Sequence, residues 1–311
     1  MNFQQLRILR EAVRRDLNLT EVAAALYISQ PGVSKHLRDL EEELGVPLFV
    51  RHGKRLTELT APARQLLPVV ERLLAEAENV KRIAQDFAAQ DSGEFVVAAT
   101  HTQARYALPQ VIKRFRTAFP KVHLVLHQGS PREIVELVRS GEADIGIATE
   151  SIDGTPGLVS FPCYVWRHAV IVPNGHPLAE RPQLTLDALS GYPIVTYHAG
   201  FTGRGQVDAA FAGLGLKPDV VLSAIDADVL KTYVELGLGI GIIAEMAYDP
   251  ARDSALTRLD ARHLFPPNVT RLAVRRGNTL RGFGYRFIHE LVPELDEASV
   301  RRAMDVLGSD E

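Results

Sequence analysis

The chain has 311 residues, 46% of them hydrophobic, which is too much for one small core and predicts two or three compact units. A formal net charge of −3 excludes nucleic-acid binding that relies on overall charge, so any such contact must be local. One cysteine, Cys163, excludes an internal disulfide framework; with no apolar run of about 18 residues, the chain is expected in the cytoplasm and away from membranes.

Phe3, Leu6, Leu9 and Val13 share one face and predict a first helix. In "LNLTEVAAALYIS", Asn18 and Glu21 have the spacing of a capping box, and Leu17 and Val22 that of a hydrophobic staple. Ser29 is expected to cap a helix over 30–44 that tolerates Pro31 in its first turn. Its apolar stripe is Val33, Leu37, Leu40 and Leu44; the opposite face carries Pro31, Ser34, Lys35 and Arg38, then Glu42. Two short helices joined by a tight turn predict a helix-turn-helix. Gln30, Pro31, Ser34, Lys35 and Arg38 are then the candidates for base edges and phosphates, with Glu41 to Glu43 beyond the duplex in water. "GVPLFVRHGKRLTELT" (45–60) predicts a wing anchored by Leu48 and Phe49, with Arg51, Lys54 and Arg55 at a basic tip for backbone or minor groove.

Over 61–90, Leu66, Val70, Leu73, Ala77, Val80, Ala84 and Phe87 step by four and three, the spacing of a coiled-coil seam. A second copy is the expected partner, giving two reading heads; packing on the chain's own core is the alternative. Pro68 predicts a kink or a fresh helix start near 63–67. "AAQDSGE" (88–94) predicts a hinge.

From 91 onward strand and helix patterns alternate, which implies α/β layers in two lobes. Strands are expected at 95–100, 123–128 and 143–149, with a helix at 131–139 capped by Ser130, Pro131 and Glu133. The chain is expected to change lobe around 162–166, making lobe I about 91–162 plus 268–311 and lobe II about 163–267. "HAVIV", "PIVTY", "VVLSA" and "IGIIA" supply strands of lobe II, with helices near 204–213 and 228–236. "VTRLAVRR" (269–276) returns to lobe I and a helix at 282–292 closes it.

Threonines recur where these strands meet helix starts, which expose unpaired N–H groups that suit anions. Thr100, Thr102, Gln103, Thr149 and Thr202 are therefore the candidates to hold a small anionic or zwitterionic effector between the lobes. Each threonine taken singly reads as an N-cap; only their convergence argues for a site. His123 and His127, four apart on a strand, stand about 13 Å apart and cannot share a metal. "GLGIGI" (237–242) precedes a strand where a nucleotide loop would follow one, so its glycines are assigned to a turn and close packing. "FPCYVW" buries Cys163, and no catalytic motif is present, so no enzyme, metal or resident cofactor is expected.

"LTEVAAALYISQPGVSKHLRDLEEELGVPLFVRHGKRLTELT" resembles the DNA-binding head of LysR-type transcriptional regulators, and the order head, linker helix, sensor resembles that family over the whole chain. The fold implied is a winged helix-turn-helix, a coiled-coil linker helix and a two-lobed α/β effector domain like that of periplasmic binding proteins. "THTQARYALP", "HQGSP", "ADIGIAT" and "GFTGR" resemble the cysteine-regulon subgroup, in which the five positions named above bind an acetylserine-type effector or a sulfate-like anion. The resemblance implies a homotetrameric activator of sulfate-assimilation and cysteine-synthesis genes, with double-stranded promoter DNA, a second copy and RNA polymerase as partners. Its effector would be N-acetylserine, O-acetylserine or a sulfate-like anion. Two departures stand out: "LTAPAR" replaces a proline-alanine-glycine order, and Gly32 replaces a commoner alanine or serine.

Overall fold

The computed structural model describes residues 1–53, 55–88 and 91–305, with side chains throughout except at 79, 82, 83 and 85–88. Lys54 and the Phe87 side chain lie outside the described residues. The chain forms two compact units, Met1–Gln85 and Asp86–Glu311.

In the first unit, α1 (Phe3–Arg14) starts at a reciprocal capping box between Asn2 and Gln5. Asn18 caps α2 (Leu19–Ala25) through the amides of Thr20 and Glu21. The expected box is only half formed there. The Asn18 backbone N–H already donates to the Arg15 carbonyl, so the Glu21 carboxylate takes the Asn18 side-chain amide instead. Ser29 caps α3 (Gln30–Leu44) through the Gly32 N–H, with Pro31 in the first turn. Ile8, Val22, Val33, Leu37, Leu40 and Leu48 are completely buried in the shared core. The strands β1 (Phe49–His52) and β2 (Arg55–Leu59) pair antiparallel as the wing.

The helix α4 (Ala61–Ala88) runs unbroken through Pro68, so the fresh start expected near 63–67 does not occur. The donor that proline lacks would have served the Arg64 carbonyl; both residues are exposed, so that carbonyl is not left in an apolar setting. The expected seam divides. Leu66 and Val70, with Ala63 and Leu74, pack on the core of the head, whereas Val69, Leu73 and Val80 are exposed.

The second unit holds two five-stranded sheets. Lobe I contains β3 (Gly93–Ala99), α5 (Leu108–Ala118), β4 (Val122–Gln128), α6 (Pro131–Ser140), β5 (Ile145–Ala148) and β6 (Leu158–Trp166). Its sheet order is β4-β3-β5-β12-β6, where β12 (Asn268–Arg275) returns from lobe II and precedes α10 (Gly282–Leu291) and α11 (Glu297–Asp305). Ser130 and Glu133 form a complete capping box on α6, and Phe95, Phe115, Phe283 and Phe287 meet in the core.

Lobe II contains β7 (His168–Pro173), α7 (Leu186–Ser190), β8 (Ile194–Tyr197), α8 (Arg204–Gly213), β9 (Val220–Ala224), α9 (Ala227–Glu235), β10 (Ile240–Ala244) and β11 (Leu256–Leu259), in the order β11-β7-β10-β8-β9. The lobe change therefore falls at Arg167, later than the expected 162–166. The reason is the long β6–β12 ladder, which holds Leu158 to Trp166 in the first sheet. Neither β11 nor α11 is among the elements expected from the sequence.

Candidate functional site

On α3, Gln30, Lys35 and Arg38 are exposed and Ser34 is half-buried. Gln30 Nε2 lies 3.4 Å from Ser34 Oγ, and Arg38 Nε donates to the Ser34 carbonyl at 3.3 Å. These four side chains form one hydrogen-bonding face, open to solvent, next to Pro31. Arg55 is exposed at the start of β2.

Two expectations about the wing change. Glu41 is not an idle solvated carboxylate: it accepts from the amides of Leu48 (2.8 Å) and Phe49 (3.2 Å) and from Arg51 Nη2 (2.7 Å). Arg51 is thus tied to the end of α3 and is not a loose tip cation. This explains an acid near the C-terminal end of a helix, where the dipole disfavours it: three donors hold it there. Glu43 likewise pairs with the terminal amine of Met1. Glu41→Ala is expected to lower the stability of the head by roughly 2 kcal/mol, seen as an earlier denaturant transition. An unshifted transition would mean that Leu48 and Phe49 seat the wing by packing alone.

In the second unit, β3 runs through Thr100 into helical residues His101 and Thr102, then a single π-helical turn, Gln103–Ala107, before α5. Such turns are rare and concentrate at functional sites. Thr100, Thr102, Gln103 and Thr202 are all buried. Thr102 Oγ1 lies 3.3 Å from Thr202 Oγ1, so residues one hundred apart join across the two lobes. Gln103 Oε1 accepts from the Tyr164 hydroxyl. Thr149 Oγ1 lies 3.3 Å from Thr270 Oγ1, and Trp166 Nε1 reaches both, at 3.3 and 3.1 Å. Thr202 has a positive φ of 44°, and its carbonyl sits 3.2 Å from His168 Nε2. Burial pushes His168 down to about 4, so the ring is neutral at pH 7.

The capping interpretation of Thr102 and Thr202 fails. Thr102 stands before the π turn without a side-chain cap bond, and the cap of α8 is Gly203. Tyr164, Trp166, His168, Asn268, Thr270 and Glu150 share in these contacts and are not among the residues expected from the sequence. Asn268 Nδ2 lies 3.4 Å from His168 Nδ1. Glu150 Oε1 accepts from the Gly203 N–H.

Beside the threonines the lobes are joined by charge. Tyr106 donates to Asp228 at 2.7 Å, Arg105 Nε reaches the same carboxylate at 3.2 Å, and His101 Nε2 lies 3.1 Å from Asp226. Burial pushes Asp228 up, but hydrogen bonds from Tyr106, Lys231 and Arg105 outweigh it and hold the group at about 2. His101, Asp226 and Asp228 are close enough to hold a metal ion. Their chemistry does not fit one, because Arg105 and Lys231 already contact Asp228 and would repel a dication. Burial pushes the Cys163 thiol up to about 12, an unreactive state at neutral pH.

Residues 3–64 match the bacterial regulatory helix-turn-helix protein, lysR family, and residues 88–295 match the LysR substrate binding domain. The chain is 58% identical over 300 residues to the HTH-type transcriptional regulator SsuR of Burkholderia cenocepacia, covering 96% of this chain and 97% of that one. It is 53% identical over 304 residues to CysB of the same organism, covering 98% and 97%. The crystal structure of the cofactor-binding domain of the Cbl transcriptional regulator superposes with a TM-score of 0.67 at 48% identity, over 69% of this chain and 94% of that one. Among the described residues, no helix is long and apolar enough to cross a membrane.

Proposed function

This chain belongs to the LysR family of transcriptional regulators, and from that premise we propose that it controls sulfate-assimilation and cysteine-synthesis genes by sensing a small polar metabolite between its lobes. Identity to regulators named SsuR and CysB supports the sulfur assignment. The observation that carries the sensing role is the buried contact of Thr102 with Thr202 across the lobes, with Gln103 and Thr100 beside it and Thr149 on the same lobe as Thr100. Buried hydroxyl and amide groups on facing walls suit a small ligand rich in hydrogen-bonding atoms, such as N-acetylserine, O-acetylserine or a sulfate-like anion.

The exposed face of α3, with Gln30, Ser34, Lys35 and Arg38, enters the major groove of promoter DNA, and Arg55 on the wing touches the backbone. A second copy covers the exposed stripe Val69, Leu73 and Val80 of α4, aligning two heads on two half-sites. Further pairing uses the sheet edges β4 and β9, the latter carrying exposed Val221 and followed by exposed Ile225 and Val229, and yields a tetramer that engages RNA polymerase at the promoter. Ligand that favours one lobe arrangement shifts the population of the assembly and hence the DNA bend it imposes. Couplings of this kind are about 1–3 kcal/mol, enough to move a promoter between weak and strong occupancy.

Paired variants separate the two functions. Lys35→Ala is expected to weaken binding to a duplex selected from random sequence by roughly tenfold at fixed salt. Thr102→Ala should keep that affinity yet lose heat of binding on calorimetric titration with acetylserines, sulfate or thiosulfate. A melting temperature lowered by many degrees in Thr102→Ala would make the threonine a structural residue and end the cleft assignment.

A further inference from the structure

Glu41, in the last turn of α3, gathers the Leu48 amide, the Phe49 amide and Arg51 Nη2. The register of the wing explains why Arg51 is within its reach. Arg51 pairs with Leu56, and His52 with Arg55. Residues opposite one another in an antiparallel ladder share a face, and successive residues alternate between faces. Phe49 and Leu56 are buried, so Arg51 lies on the inward face with them. Val50, His52 and Arg55 are exposed on the outward face.

A bulge produces this arrangement. The pairing passes from Glu58 to Leu56, and the hydroxyl of the skipped Thr57 donates to the Val50 carbonyl at 3.2 Å. Without the extra residue, Arg51 would pair with Thr57 and His52 with Leu56, which would turn the leucine to the outward face. The base of the wing is held from the other side as well. The Thr60 N–H donates to the Leu48 carbonyl at 3.0 Å, and the Thr60 hydroxyl donates to the Pro47 carbonyl at 2.7 Å. That hydroxyl also accepts from the Ala63 N–H at 3.3 Å, where α4 begins. Leu48 thus joins α3 through its amide and the start of α4 through its carbonyl. Beyond Phe49, Arg51 is the polar tie that continues this attachment toward the tip.

We infer that Arg51 is a positioning residue for DNA binding: it acts through Glu41 to fix the outward face of the wing relative to α3, and Arg55, not Arg51, meets the phosphate backbone. The inference rests on the DNA-binding reading of the head proposed above. A guanidinium held 2.7 Å from a carboxylate brings no net charge to the duplex as a pair, so it displaces no counterion on docking. An exposed arginine on the outward face does displace one. Arg51 therefore contributes to affinity through the geometry of the wing, and Arg55 through charge.

The test is fluorescence anisotropy of the full chain on a labelled duplex selected from random sequence, with sodium chloride varied at pH 7. Arg55→Ala is expected to reduce the slope of log affinity against log salt by about 0.9 for each bound head. Arg51→Ala should weaken binding by roughly fivefold at fixed salt and keep the wild-type slope. Glu41→Gln keeps an acceptor for the two amides but faces Arg51 with an uncharged group. It should weaken binding to a similar degree, and the double variant should be no weaker than the weaker single variant. A slope reduced by Arg51→Ala as much as by Arg55→Ala means that Arg51 itself meets a phosphate, and overturns the inference. Affinity restored to the wild-type value in the double variant also overturns it, because the pair would then act by its charges alone. Unchanged affinity in Arg51→Ala, while Lys35→Ala still weakens binding, overturns the role of Arg51 and leaves the DNA-binding reading standing. A wild type that binds no duplex, or binds without dependence on salt, overturns that reading and the inference with it. If Arg51→Ala does not fold, Arg51→Met keeps an apolar stem beside Leu56 and is judged by the same affinity and slope.

Discussion

Lys231→Met is expected to destabilise the second unit by about 3–5 kcal/mol, read as a lower urea midpoint by the fluorescence of Trp166, the only tryptophan. Lys231 and Asp253 are both buried, at 6% and 5% exposure, which puts this pair in the class where removing one partner strands the other. The ammonium donates to the Ala247 carbonyl at 2.9 Å and lies 3.0 Å from both Asp253 and Asp228. Without it, Asp253 retains only the Asp249 amide at 2.8 Å among its described donors. The loss also reaches the lobe junction, since Lys231 is one of three side chains that hold Asp228 at about 2. A depressed carboxylate contributes stability that is complete above its unfolded pKa, about 3.9, and is lost as pH falls through the folded value. With one donor removed the folded value rises, so acid unfolding of Lys231→Met should begin at higher pH than in the wild type. A midpoint within experimental error of the wild type, at neutral pH, would show that Asp253 protonates or finds solvent at little cost.

The parts of the fold that were legible in advance depend on neighbours in sequence. Ser130, Pro131 and Glu133 mark the start of α6 because a capping box closes within three residues. The runs at 168–172, 220–224 and 240–244 are strands in place because each is a short apolar or β-branched segment bounded by turn residues. What escaped depends on distant partners. The strand β6 carries Pro162 and no alternation of polar and apolar residues, and its pairing with β12, more than a hundred residues on, makes it a strand. Pairing of β12 with β6 on one side and β5 on the other brings Thr270 to Trp166 and Thr149, so two of those three site residues have no local mark. Thr102 and Thr202 could be picked out because strand ends and helix starts are visible; that they touch required the lobes. In α4 the heptad spacing announces a buried stripe without saying what covers it, and Val70 went to the head while Leu73 stayed exposed. Glu41 has no local mark for a similar reason: its donors come from a wing seven to ten residues away, folded back on the helix.

Gly239→Ala is expected to be the most damaging of the three glycine-to-alanine substitutions in the run 237–242, with a loss of about 3 kcal/mol or more. The run "GLGIGI" was assigned to a turn and to close packing, and its three glycines divide that work. Gly237 has a φ of 79°, and a Cβ there would meet open space within 4 Å. Alanine at that position bears only the left-handed backbone penalty, about 1 kcal/mol. A Cβ on Gly241 would lie 2.4 Å from Ile171 Cγ1 and 2.9 Å from Val234 Cγ2, buried β-branched side chains that must shift at a cost of about 1–3 kcal/mol while the backbone stays in place. A Cβ on Gly239 would lie 2.3 Å from the Pro193 carbonyl oxygen and 2.8 Å from its carbon, both backbone. That carbonyl cannot withdraw freely, because it accepts from the Ile240 N–H at 2.8 Å where β10 begins to pair with β8. Relief of the clash therefore means opening the parallel ladder at its first rung. The expected order of urea midpoints is wild type, then Gly237→Ala, Gly241→Ala and Gly239→Ala, each followed by Trp166 fluorescence. Equal losses at all three positions would contradict the close-packing account, since only Gly237 among them needs a left-handed conformation and only Gly239 would meet backbone atoms.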